Sequence, residues 1–183
     1  MTKKALVILA EGFEEIEAVT SIDILRRSGV EVTIAGLNNL MIKGANGINI
    51  IADKIMEEIT PNFDACILPG GLSGAKNLAS SEKAKSLILD MNNQGKIIGA
   101  ICASPAIVLA PWRILDNKKA TCYTGMNKNF GSTTTFVEEN VVVDGNIITS
   151  RGPATSLLFA FKIVEELTDK ESSDKLKKSI LLL

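Results

Sequence analysis

Lys4-Ala5-Leu6-Val7-Ile8-Leu9-Ala10-Glu11-Gly12-Phe13-Glu14-Glu15 is the stretch that decides the fold. Residues 5–10 are an unbroken apolar run, short and rich in branched side chains, which reads as a strand buried on both faces. Such a strand belongs in a parallel sheet between two helical layers, each strand feeding a crossover helix. The spacing predicts that helix over about 14–28, with Gly29 as its stop. The alternation continues with strands at 30–35, 65–68 and 96–101 and helices at about 81–93, 103–110 and 153–167. Ala84, Leu87, Ile88 and Met91 form the apolar stripe of the first of these helices, and Pro111 is expected to halt the second. Smaller β features are predicted at 48–51, at 120–122 and as a hairpin over 141–148 turning on Asp144-Gly145. Residues 54–59 read as a short helix ended by Pro61, and 168–173 as a charged link to a last helix with an Ile180-Leu181-Leu182-Leu183 tail. The expected class is α/β: a mainly parallel sheet with helices on both faces, a small hairpin excursion, and one domain spanning 1–183.

Composition narrows the function. With 183 residues, 46% apolar and 22% charged, the chain is long enough for one sizeable core. Twenty basic and 21 acidic residues leave a net charge of -1, so no global field draws nucleic acid or anionic lipid. Histidine is absent, which excludes Ser-His-Asp triads, Cys-His pairs and histidine zinc sites. Cys66, Cys102 and Cys122 contain no CxxC pair, which argues against a dithiol motif and fits a reducing compartment. No segment approaches 18 consecutive apolar residues, and the start lacks a signal-peptide core. The expectation is a soluble cytoplasmic protein without membrane or nucleic-acid partners.

In an open parallel sheet, ligands bind beyond the carboxyl ends of the strands. Residues after Ala10, Leu68 and Ile101 should therefore share one crevice. The first end carries Glu11, Glu14, Glu15 and Glu17, which suit a solvated helix start. One of them turned inward would instead be a proton donor with a raised pKa. The second end, Pro69-Gly70-Gly71, is either a tight turn or one half of an oxyanion hole. It is not a phosphate loop, since no Gly-Lys-Ser follows. The third end is Gly99-Ala100-Ile101-Cys102-Ala103-Ser104-Pro105, a strand-to-helix turn among small neighbours. Cys102 there is either a buried structural cysteine or a nucleophile whose pKa a helix N-terminus depresses; Cys66 and Cys122 read as inert.

Five collinear blocks, ALVILAEGFEEIEA, SIDILRRSGVEVTIAG, ILPGGLSGAKNLASS, GAICASPAIVLA and TSRGPATSLLFAFKIVEEL, resemble the ThiJ/PfpI superfamily in its DJ-one-like branch. The resemblance implies a flavodoxin-like α/β sandwich and a homodimer; no cofactor is expected. It also implies that Cys102 is the reactive cysteine and Glu17 the carboxylic acid hydrogen-bonded to it. Gly71 and Ala103 would supply oxyanion-stabilising backbone N–H groups, and Arg27 and Arg151 would lie near the dimer interface and site rim. Tyr123 stands where animal members carry a histidine, and Ala103 where the peptidase branch has one, which argues against a peptidase. The implied activity is glyoxalase or deglycase chemistry on a small aldehyde or glycated substrate, with weak turnover expected because no histidine is available. The alternative is a redox-responsive, chaperone-like protein whose Cys102 is oxidised to sulfinate.

Overall fold

The computed structural model describes residues 2–182. β1 (Lys4–Leu9) feeds α1 (Glu15–Arg27), which returns into β2 (Glu31–Gly36). A hairpin of β3 (Met41–Lys43) and β4 (Asn49–Ile51) stands outside the main sheet, and β5 (Lys54–Ile55) rejoins it at one edge. β6 (Ala65–Leu68), α2 (Leu72–Ala79), α3 (Glu82–Asn93) and β7 (Ile97–Ile101) follow. Next come a π-helical turn at Pro105–Leu109, β8 (Lys119–Ala120), a 3-10 turn at Met126–Asn129 and β9 (Thr135–Phe136). The hairpin of β10 (Val141–Asp144) and β11 (Ile147–Ser150) leads to α4 (Ser156–Leu167) and α5 (Lys170–Ser179).

The main sheet runs β10-β11-β7-β6-β1-β2-β5, parallel throughout except for β10 against β11. Alternation along β1 divides the core. Leu6 and Ile8 face Leu78 of α2 and Ile88 of α3, while Val7 and Leu9 face Leu25 of α1 and Phe159 and Ile163 of α4. Each fully buried side chain of this kind stabilises the fold by roughly 1.5–3 kcal/mol. The sheet is thus covered on both faces, as the apolar run of β1 requires. No helix of the described residues is long and apolar enough to cross a membrane.

Several local expectations are corrected. Residues 54–59 are not a helix: Lys54 and Ile55 pair with Ala35 and Gly36, and only a 3-10 turn at Met56–Glu58 follows. The Asp53 carboxylate accepts from the Ile34 N–H at 2.7 Å, fixing this strand start, so tertiary pairing overrides local propensity. The segment after Cys102 is a π-helical turn, with the Ala110 N–H donating to the Pro105 carbonyl at 3.0 Å, and turns continue past Pro111. β8 covers only Lys119–Ala120 and pairs with β9, outside the main sheet. The charged link at 168–173 is mostly α5, because Asp169 caps it by accepting from the Ser172 N–H at 2.8 Å. Helix α5 ends at Ser179, so Ile180, Leu181 and Leu182 lie beyond it, and Leu183 falls outside the described residues.

Candidate active site

The ends of β1, β6 and β7 converge as parallel topology demands, and each contributes one part. Helix α1 starts where the Glu14 carboxylate accepts from the Glu17 N–H at 2.8 Å. The neighbouring carboxylates then separate by role. Glu15 accepts from the Asn46 N–H at 2.6 Å and Asn46 Nδ2 at 2.9 Å, tying the β3–β4 hairpin to α1. Burial raises its pKa, but the Asn46 and Ile48 hydrogen bonds outweigh that and hold it below the usual carboxylate range. Glu17 turns inward and is 0% exposed. Its Oε2 accepts from the Gly70 N–H at 2.6 Å, and Oε1 is buried with no nitrogen or oxygen partner. The carboxyl's other neighbour is the Cys102 thiol.

Cys102 sits at φ +65°, a left-handed conformation uncommon for a side-chain-bearing residue. Two backbone bonds hold it there: its N–H donates to the Ser150 carbonyl at 3.0 Å, and its carbonyl accepts from the Tyr123 N–H at 2.8 Å. Ser104 locks the adjacent loops together, its hydroxyl donating to the Pro69 carbonyl at 2.6 Å. Gly70 packs against both reactive residues. A Cβ there would fall 2.6 Å from Cys102 Cβ and 2.7 Å from Glu17 Oε2, so only glycine fits. Gly71, at φ +84°, caps α2 and presses on the backbone of residues 12–14. The Gly71 and Ala103 amides lie near the Cys102 sulfur and favour its thiolate.

Burial pushes the Glu17 carboxyl up to about 7, against the lowering effect of the Gly70 and Cys102 hydrogen bonds. Burial likewise pushes the Cys102 thiol up to about 12, with the charge of an ionised Glu17 adding to it and the Gly71 and Ala103 amides opposing it. The helix dipole therefore does not supply the stabilisation of a thiolate at Cys102, which is left to the amides and to a protonated Glu17. No regular α-helix begins at Cys102, and burial dominates. Thiol and carboxyl form one unit that loses its first proton near neutrality. The remaining proton can sit on sulfur or on Glu17. On Glu17 it makes the carboxyl a donor toward the sulfur, which favours the thiolate together with the two amides. Cys122 is pushed up to about 11 and Cys66 higher still, both by burial alone.

The DJ-1/PfpI family model matches residues 3–166. The chain belongs to the DJ-1/PfpI family. The DJ-1/PfpI relatives include "Protein dj-1beta" of Drosophila melanogaster, 40% identical over 100% of this chain and 98% of that protein. Its crystal structure superposes with a TM-score of 0.95 at 39% identity, covering 99% of this chain and 98% of that one. "Glutathione-independent glyoxalase DJR-1.2" of Caenorhabditis elegans is 36% identical over 98% of this chain and 97% of its own length. A structure titled "Toxoplasma gondii DJ-1, oxidized" matches at TM-score 0.95 and 36% identity, covering 98% of each chain. This DJ-1/PfpI chain spans only 40% and 47% of the length of the Arabidopsis thaliana proteins DJ-1 homolog B and homolog A, each 39% identical.

Of the residues singled out from the sequence, Cys102, Glu17, Gly71 and Ala103 stand together in this DJ-1/PfpI fold. Tyr123 is 50% exposed and forms a wall of the open cavity of about 570 Å³ that also meets Cys102, Ala103 and Leu72. Arg151 lines an adjoining cavity of about 310 Å³, where it donates to Thr124 Oγ1 at 3.4 Å and Glu138 Oε1 at 3.3 Å. Tyr123 and Thr124 line both cavities. Within one chain Arg27 lies away from Cys102. It lies ten residues beyond Glu17 on α1, about 15 Å along the axis, and pairs with Asp23 at 2.6 Å. Gly70, expected only within the Pro69-Gly70-Gly71 turn, proves to be the donor to Glu17. Ser104 and Ser150 complete the site, Ser104 carrying no signal beyond its place among the small residues after Cys102 and Ser150 none at all.

Proposed function

We propose that this protein consumes reactive dicarbonyls through Cys102, by glyoxalase or deglycase chemistry on methylglyoxal or an early glycation adduct. The observation that carries the reading is the buried carboxyl-thiol pair opening onto a cavity of about 570 Å³. The name of the worm glyoxalase supports it. The thiol proton passes to the Glu17 carboxylate, and the thiolate adds to the aldehyde carbon. A sulfur–carbon bond forms and the carbonyl electron pair moves to oxygen. The Gly71 and Ala103 amides that meet the sulfur at rest then serve the new oxyanion, and Glu17 returns the proton to give a hemithioacetal. Glu17 next removes the proton on the former aldehyde carbon, giving an enediol, and reprotonation at the neighbouring carbon yields the lactyl thioester. Water hydrolyses that thioester to lactate and restores the thiol, so the sum is methylglyoxal plus water to lactate. No second thiol enters. Lactate formed from methylglyoxal in glutathione-free buffer is the expected result, and depletion without lactate overturns the scheme.

The exposed side chains Ile16 and Val19 on α1 and Leu157 and Leu158 on α4, beside the Arg27–Asp23 pair, suit a second copy of the chain, and a homodimer is part of the proposal. A second reading, Cys102 as a peroxide-responsive thiol, draws on its being the only one of the three cysteines that lines the described cavities and on the oxidised Toxoplasma structure. Intact-mass analysis after mild peroxide is expected to place two added oxygens on Cys102. Equal oxidation of Cys66 and Cys122 would count against it.

A further inference from the structure

The charge of the cysteine cavity is not neutral. One segment, residues 123–129, supplies six of the nine residues lining it, Lys128 among them, and no carboxylate lines it at all. This wall is built rather than loose. The Met126 N–H donates to the Tyr123 carbonyl at 3.0 Å and the Phe130 N–H to the Asn127 carbonyl at 3.0 Å, while Met126 and Phe130 pack on the core. Among the described residues Lys128 has no ion-pair partner, whereas Arg151 next door is paired with Glu138 at 3.3 Å. The uncompensated positive charge at the mouth is thus the lysine, and neutral hydrogen-bonding groups, Tyr123, Thr124 and Asn129, stand beside it. Opposite them is a pair that carries one negative charge above about pH 7 and by itself repels an anion.

We propose that Lys128 makes this cavity selective for small carbonyl electrophiles bearing a carboxylate, such as an aldehyde adduct of a free amino acid. The inference rests on the thiol chemistry proposed above and names the substrate class of that site. Lys128 offsets the repulsion of the carboxyl-thiol pair and holds the carboxylate while the carbonyl meets the sulfur. A neutral dicarbonyl gains nothing from it. Binding strength, more than chemistry, should therefore distinguish charged from neutral substrates.

The test uses two small alkylating probes of nearly equal size, iodoacetate and iodoacetamide. With either, the Cys102 sulfur forms a bond to the methylene carbon and iodide leaves with the electron pair. The quantity read is the ratio of the iodoacetate to the iodoacetamide rate constant at Cys102, followed by mass at low ionic strength. That ratio normalises any change in the thiol itself. It is expected to fall roughly three- to tenfold in Lys128→Gln and to hold in Lys128→Arg, as one nearby charge dictates. An unchanged ratio in Lys128→Gln overturns the inference and leaves the thiol chemistry standing. Failure of both probes to label Cys102 in the wild type removes the reactive thiol and this inference with it.

Discussion

Cys102→Ala is expected to reduce lactate formation from methylglyoxal to the uncatalysed background, a loss of at least about a thousandfold, with the fold intact. Among the described residues the sulfur is the only thiol just beyond the carboxyl ends of β1, β6 and β7, and the absence of histidine leaves no Ser-His pair to replace it. Stability should change little. Cys102 is held at φ +65° by main-chain bonds to Ser150 and Tyr123, which alanine keeps, and alanine tolerates that conformation no worse than cysteine does. Thermal unfolding beside the turnover assay separates a chemical from a structural loss. Retained turnover in a folded Cys102→Ala protein removes the cysteine from the mechanism.

Glu17→Gln carries the second large effect. The amide keeps an oxygen for the Gly70 N–H but cannot accept the thiol proton or remove one from carbon. Turnover is expected to fall by about 10²- to 10⁴-fold, the usual range for a lost acid–base group. The same substitution alters stability with a definite sign. Burial raises the Glu17 pKa from 4.5 to about 7, so the folded protein holds this proton more tightly than the unfolded chain. The contribution is complete below about pH 4.5 and is lost as pH rises through about 7. Wild-type unfolding free energy should therefore drop by about 3 kcal/mol across that window, and Glu17→Gln should lack the drop. Denaturant titrations at pH 5 and 8 measure both slopes; parallel behaviour of the two proteins would place Glu17 outside the titrating unit.

Much of this arrangement is legible in the chain. The apolar run of β1 announces a sheet covered on both sides, and the topology it implies brings Glu17, Gly71 and Cys102 together. What stays hidden has physical causes. Helix α2 opens on Leu72-Ser73-Gly74 after two glycines, so its start looks like a turn, and its cap is glycine without a side-chain bond. Around Glu17 the usual pattern is inverted: Ile16 is 55% exposed while Glu15 and Glu17 are 4% and 0% exposed. Periodicity cannot select an inward carboxylate there, and only the resemblance does. The upward push on the Cys102 thiol depends on burial by distant segments, which local spacing does not encode. Lys128 reaches the cavity through a turn placed by long-range packing, so nothing near it in the sequence marks it.

The most direct test follows the rate of Cys102 alkylation by iodoacetamide against pH in wild type and Glu17→Gln. If the proton of the pair rests on Glu17 while the sulfur carries the charge, the wild-type rate rises with an inflection at or below about pH 7. Glu17→Gln then moves the inflection upward, because the sulfur exchanges a carboxylic O–H donor for a weaker amide N–H and loses its proton acceptor. A downward move in Glu17→Gln would show that an ionised Glu17 merely repels the thiolate, and it would contradict the shared-proton pair on which the chemistry depends.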